Sequence, residues 1–131
     1  MNVDYADVHD ITYRNICVEY DDFIPPTLIQ ISDEHKYENN NPDYNPDIIC
    51  VNVVFHPEYS AGGERRGKNR KISFENIRMY GRHKPKFLFS GYDEEHGVSD
   101  ICIKDFYLND EPLKQGEYEL KTNEFCKNIQ I

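Results

Sequence analysis

The residues with the clearest potential for chemistry form one short acidic segment, Tyr92-Asp93-Glu94-Glu95-His96. Cleavage of a glycosidic bond needs two carboxyl groups a few ångströms apart, one protonated and one ionised. A turn carrying Asp93 and Glu94 can present such a pair, and His96 adds a further ionisable group. Charged clusters are also common at solvated turns, where they only hydrogen-bond locally. Asp93, Glu94 and His96 are therefore catalytic candidates, with a non-catalytic turn as the alternative.

Substrate-binding candidates come from the same segment and from the basic run 64–71 of this otherwise acidic chain. An arginine fork at Arg65 or Arg66 can pair with the carboxylate of an acidic sugar. The ring of Tyr92 can stack on a sugar, although packing is the usual role of a tyrosine among strands. The alternative for the basic run is a solubilising loop that neutralises acidic neighbours.

Metal and cofactor binding find no support in the spacing of histidines and cysteines. His35, His56, His83 and His96 show no ligand pattern, and we expect no metal and no cofactor. The four cysteines show no redox pair and no metal-site spacing. We expect free thiols, which favour a reducing compartment.

The net charge and the polar N-terminal sequence limit the classes of binding partner and the cellular location that we expect. The chain has 131 residues, which suits a single domain, and a formal net charge of −9. Nucleic acids and anionic membranes are disfavoured as partners because both are bound through basic surfaces. The first residues are acidic and lack the apolar core of a signal peptide, so we expect a cytoplasmic protein.

A repeat organises the elements that must position these residues. Residues 8–20, 69–80 and 98–109 share one apolar pattern, and a partial fourth copy begins at Phe125. Four columns of apolar residues coincide: Ile11, Ile72, Ile101 and Ile129; Tyr13, Phe74, Ile103 and Ile131; Ile16, Ile77 and Phe106; Val18, Met79 and Leu108. Such a repeat is typical of stacked structural units.

Each copy predicts two short strands joined at a corner, because the apolar alternation slips by one residue at Asn15, Asn76 or Asp105. Asn and Asp tolerate the left-handed backbone that such a corner requires. Third strands are predicted at Lys86–Ser90 and at Tyr118–Leu120. The pattern predicts an all-β fold, a short right-handed parallel β-helix of about three coils. A β-sandwich is the alternative.

The first copy is separated from the second by a long interval. A strand predicted at Ile48–Phe55 is equivalent to Lys86–Ser90, with loop insertions at about 23–46 and 57–70. The interval from Ile11 to Ile72 is then one coil with insertions, or else two coils. Residues 1–131 form a single solenoid domain in either case. Its strand edges at both ends invite pairing, so we expect a homo-oligomer or docking to a longer solenoid.

Residues 72–81, 90–100 and 120–129 resemble the C-terminal coils of polygalacturonase-like bacterial glycoside hydrolases, which belong to the pectin-lyase-like β-helix superfamily. The resemblance implies a partner that is an acidic polysaccharide or oligosaccharide. The family's Asn-Thr-Asp, Gly-His-Gly and Arg-Ile-Lys motifs are missing from this chain, so no catalytic residue carries over.

Three functional hypotheses follow. The leading hypothesis is a C-terminal β-helix segment that serves as a scaffold or accessory polysaccharide-binding surface without catalytic aspartates of its own. The second hypothesis is a self-associating structural module. The third is a glycoside hydrolase that uses the carboxylates at 93–95.

Overall fold

The computed structural model describes residues 1–20, 30–31, 36–37, 45–56, 59–60 and 66–131, and these contain strands and turns but no helix. The ten strands are β1 (Asp7–Glu19), β2 (Gln30–Ile31), β3 (Lys36–Tyr37), β4 (Ile49–Asn52), β5 (Lys68–Tyr80), β6 (Lys86–Ser90), β7 (Val98–Leu108), β8 (Glu111–Pro112), β9 (Glu119–Thr122) and β10 (Cys126–Gln130). The expected all-β class is confirmed. Within these ranges no helix is long and apolar enough to cross a membrane.

Two sheets of parallel strands make up most of the fold. The first sheet has the order β1-β5-β7-β10, with β8 added antiparallel to the end of β7. The second has the order β4-β6-β9, and all of its pairs are parallel. A two-residue antiparallel ladder joins β2 to β3 within the predicted 23–46 insertion. The rest of both predicted insertions lies largely outside the described residues.

The strand register confirms the apolar columns that the repeat predicts. Ile11 pairs with Ile72, Ile72 with Ile101, and Ile101 with Ile129. The same register aligns the other columns within the strands: Tyr13, Phe74 and Ile103; Ile16, Ile77 and Phe106; Val18, Met79 and Leu108. Like side chains therefore stack on like side chains through the first sheet, as the sequence periodicity requires.

The predicted corner residues adopt the left-handed backbone. The φ angles are 59° at Asn15, 52° at Asn76 and 52° at Asp105. The Asn76 side-chain amide donates a hydrogen bond of 2.8 Å to Oδ1 of Asn15 in the neighbouring strand. Each strand continues through its corner, so the two predicted short strands form one long bent strand.

A second column of bends, at Asp10, Lys71, Asp100 and Asn128, was not predicted. Their φ angles lie between 52° and 55°. The Asn128 side-chain amide donates to Oδ1 of Asp100 at 2.7 Å. The sequence does not indicate a bend at Lys71, because lysine has no special tolerance for the left-handed region. The four positions therefore do not form a recognisable column of bend-forming residues.

The second sheet confirms the predicted equivalence between the strand after the first insertion and Lys86–Ser90. Ile49 pairs with Phe87, and Val51 pairs with Phe89. The observed strand β4 is shorter than the predicted Ile48–Phe55, since its ladder with β6 ends at the pair Asn52 and Ser90. Val53, the next residue, forms an isolated parallel bridge with Asn2. The predicted Tyr118–Leu120 strand is observed slightly later, as β9.

The hydrophobic core lies between the two parallel sheets. The first sheet contributes Ile72, Phe74, Ile77, Met79, Val98, Ile101, Ile103 and Phe106, and the second contributes Ile49, Val51, Phe87 and Phe89, with Val53 directly after β4. Phe87 meets Phe106 edge-to-face at 5.5 Å between ring centroids, which joins the sheets directly. Alternation of inward apolar and outward polar residues places charged side chains on the outer faces.

Candidate functional site

The acidic segment forms a closed turn between β6 and β7. The backbone N–H of Tyr92 donates to the carbonyl oxygen of His96 at 2.9 Å. The carboxylate of Asp93 accepts from the backbone N–H groups of Glu95 at 2.9 Å and His96 at 2.8 Å. This is the local side-chain-to-backbone bonding that makes Asp a turn former.

Asp93 is also bound to the imidazole of His96, with 2.7 Å between Oδ1 and Nδ1. The hydrogen bond from His96, followed by the two backbone N–H groups, lowers the pKa of Asp93 below its ordinary value. Asp93 is therefore ionised at neutral pH and stabilises the turn. A carboxyl group in this state is unsuited to be the general acid of glycoside cleavage.

Glycines on both sides of the turn let it pack against the next level of the fold. A Cβ atom at Gly91 would lie 2.6 Å from Cβ of Phe125, and one at Gly97 would lie 2.6 Å from the Phe125 carbonyl oxygen. The side-chain amide of Asn123 donates to the Gly91 carbonyl at 2.8 Å and accepts from the Gly91 N–H at 3.0 Å. These contacts fix the turn to the body of the protein.

Tyr92 and Arg66, two of the predicted substrate-binding residues, lie together beside this turn. The guanidinium carbon of Arg66 is 5.1 Å from the centroid of the Tyr92 ring and 4.6 Å from that of Phe55. Arg66 is only 4 % exposed, whereas Phe55 is 48 % and Tyr92 43 % exposed. Cation–π contacts of this kind hold a ring in place while part of the ring stays open. We name Phe55, Arg66 and Tyr92 the aromatic clamp.

The chain topology explains why the clamp forms at this edge. Phe55 follows β4, and Tyr92 follows the parallel partner strand β6, so both segments emerge at the same end of the second sheet. Arg66 stands just before β5, in the connection that enters the first sheet. The sequence gives no signal that Phe55 belongs to a site, since a single phenylalanine at the end of a predicted strand resembles a core residue.

The arginines of the basic run 64–71 contact different groups of the protein. The guanidinium of Arg66 lies against two rings, and the predicted candidate Arg65 lies outside the described residues. Arg70 donates two hydrogen bonds to Asp7, at 3.0 and 2.9 Å. That pairing lowers the pKa of Asp7. The basic side chains Arg66 and Arg70 thus contact groups of the protein itself.

The turn brings together some predicted residues and leaves others separate. Asp93 and His96 are in direct contact, and Tyr92 joins Arg66, whereas Glu94 is exposed to solvent. The part of the chain that the structure describes contains no group of three or more His, Cys, Asp or Glu side chains arranged to hold a metal ion. The four cysteines, Cys17, Cys50, Cys102 and Cys126, are free thiols.

Two cavities among the described residues lie away from the turn, at opposite ends of the sheets. One, of about 750 Å³, is lined by residues of β7, β9 and β10 with the segment 112–118. The other, of about 410 Å³, lies among β1, β4 and β5.

Comparison of the chain with protein-family models, curated proteins and solved structures finds no match.

Proposed function

We propose that the chain is a short right-handed parallel β-helix. The support is the path of the chain, which visits the second sheet at β4, the first at β5, the second at β6, the first at β7, the second at β9 and the first at β10. Such alternation between two parallel sheets is what a winding ribbon requires. Sandwiches are built mainly from antiparallel strands, which makes them a poor alternative.

On this fold we propose a polysaccharide-binding surface of a polygalacturonase-like carbohydrate-active protein. The observation that carries this proposal is the aromatic clamp, whose two half-exposed rings are held by a buried guanidinium. Half-exposed rings held against a guanidinium suit stacking on the flat apolar face of a sugar, because a ring held in place loses little conformational freedom on binding.

The ring faces are proposed to provide the binding energy, and the acidic turn is proposed to be structural. Asp93 accepts hydrogen bonds from its own turn and has a lowered pKa, which is the opposite of the raised pKa that a catalytic acid needs. The proposed protein is therefore a scaffold or accessory binding surface and not a hydrolase by itself.

The experiment compares two Arg–Tyr pairs in the same chain. Arg78 lies over the Tyr107 ring at 4.6 Å on the outer face of the first sheet, a contact similar to that between Arg66 and Tyr92. Binding of the wild type, Tyr92→Ala and Tyr107→Ala to polygalacturonate and to a neutral polysaccharide is measured by isothermal titration calorimetry. We expect Tyr92→Ala to weaken polygalacturonate binding about tenfold or more, while Tyr107→Ala binds as the wild type does.

Two results would overturn the proposal. One is absence of polygalacturonate binding by the folded wild type. The other is an equal loss of affinity in both variants, which would mean that the clamp has no special role. Preference for the neutral polymer would retain the surface and reject the acidic sugar as its ligand.

A further inference from the structure

The last strand of the first sheet leaves an apolar edge uncovered. β10 pairs with the first half of β7 only, and no strand of the described chain pairs with its other edge. Ile131 is 42 % exposed and Leu120, on β9, is 43 % exposed. They line the larger of the two end cavities, together with the core residue Phe106. We name this edge the tail.

The opposite end of the sheet has the same character. β1 pairs with β5 through almost its whole length, and in the described residues its other edge carries no partner strand. Tyr13 is 45 % exposed and Ile16 is 37 % exposed, at positions whose equivalents in β5 are buried. Both line the smaller end cavity. We name this edge the head.

Head and tail match each other column by column. Ile11 of the head and Ile129 of the tail belong to one column, because Ile72 and Ile101 connect them in register. Carrying the register one step beyond β10 would place Asp10 of a second copy beside Asn128, an amide next to a carboxylate. Within the chain the Asn128 amide donates to Asp100 at 2.7 Å, so in the joint Asn128 would lie between two carboxylates. The match between head and tail therefore rests on the apolar columns.

We propose that a second copy of this chain docks head-to-tail, with its β1 pairing in parallel with β10. The predicted register is Ile129 with Ile11 of the second copy, and Asn128 with its Asp10. The joint repeats the parallel strand pairing already present between β5 and β7, and it covers the exposed residues Tyr13 and Ile131, which fall beside each other in this register. Unpaired strand edges are templates for such addition.

The two contacting surfaces differ, so the interface is heterologous and leaves a free head and a free tail on every assembly. Such contacts propagate into open polymers when no ring closes. A two-fold dimer would instead bring two heads or two tails together. The inference rests on strand pairing and is independent of sugar binding, so either proposal can fail while the other stands.

The test uses one variant blocked at each edge. Tyr13→Lys/Ile16→Lys places charges on the head, and Leu120→Lys/Ile131→Lys places them on the tail. All four positions are more than one third exposed, so the fold tolerates the changes. Ser73→Lys, on the outer face of the central strand β5, is the matched control for added charge. Masses are followed by sedimentation velocity over a concentration series, with circular dichroism confirming folding.

We expect wild type and Ser73→Lys to grow through successive multiples of 15.5 kDa as concentration rises. Each blocked variant alone should associate about tenfold or more weakly, because a lysine ammonium cannot be buried without a partner. An equimolar mixture should form a dimer of one head-blocked and one tail-blocked chain and grow no further.

A folded wild type that stays monomeric overturns the proposal. So does one blocked variant that still dimerises alone while the mixture forms no mixed dimer, which is the two-fold result.

Discussion

Strands β1 and β5 carry the same apolar columns, yet their side chains differ greatly in exposure. Ile77 in β5 is 2 % exposed, whereas its partner Ile16 in β1 is 37 % exposed. Phe74 in β5 is 8 % exposed, whereas Tyr13, stacked on it at 5.1 Å, is 45 % exposed. The difference shows that the column decides which side of a strand faces inward. Burial itself depends on having a strand on each side.

The largest expected effect is a difference in stability between truncating an isoleucine in β5 and truncating its partner in β1. Ile77→Ala should lower the free energy of unfolding by about 3 kcal/mol, as deletion of a fully buried isoleucine usually does. Ile16→Ala should cost about 1 kcal/mol or less, since Ile16 is partly open to water. Urea unfolding at one fixed protein concentration measures both values. Equal losses would show that β1 is covered as completely as β5.

The second prediction concerns the bends. Asn76→Ala should cost about 1–2 kcal/mol, because Ala at a φ of 52° is strained and the 2.8 Å bond to Asn15 is lost. Asn76→Gly should cost less than half as much, since glycine tolerates this backbone. If the two variants unfold at the same urea concentration, backbone strain is not the cause.

The third prediction runs in the opposite direction. Lys71→Asn should stabilise the protein by about 0.5–1 kcal/mol, because asparagine suits the left-handed backbone that Lys71 adopts at φ 52°. The long, exposed contact of 4.0 Å between Lys71 and Asp10 contributes little against this gain. Lys104→Asn, exposed on β7 without a left-handed φ, is the control and should not stabilise. Thermal unfolding distinguishes the two variants.

The smallest expected effect concerns the attachment of β1 at acid pH. The pKa of Asp7 is lowered chiefly by its hydrogen bond with Arg70, so the folded state holds fewer protons than the unfolded state once the pH falls towards the ordinary range of an aspartate. The stabilisation is present at neutral pH and is lost progressively below about pH 4. Asp7→Asn lacks this titrating carboxyl group. Its urea midpoint should therefore fall less steeply than that of the wild type from about pH 5 to about pH 2. An unchanged slope would contradict this role of Asp7.

Strand register was predictable because it follows from local periodicity. The alignment of Ile11, Ile72 and Ile101 requires only that equal patterns pair, and the corner at Asn76 requires only a phase slip and a suitable residue. The second bend column was not predictable in the same way. One of its two interior members is Lys71, whose left-handed backbone is imposed by neighbouring strands and not by its own preference.

The candidate site was predictable only in part, since it is made by tertiary contacts. The turn at 92–96 was evident from its composition, whereas the contact of Tyr92 with Phe55 and Arg66 joins two separate connections, the one from β4 to β5 and the one from β6 to β7. No spacing rule relates residues that meet because two parallel strands end at the same edge. The lowered pKa of Asp93 likewise depends on backbone N–H groups that only the folded turn aligns.

The unbroken register through β1, β5, β7 and β10 has a consequence for how such a chain can change length. Residues 69–97 contain one complete passage through both sheets, and each strand in it meets the same kind of neighbour before and after. On the β-helix proposed above, a tandem duplication of this segment would add one level of about 4.8 Å between the same two end strands. Duplication within the gene would therefore lengthen the protein while keeping its strand register.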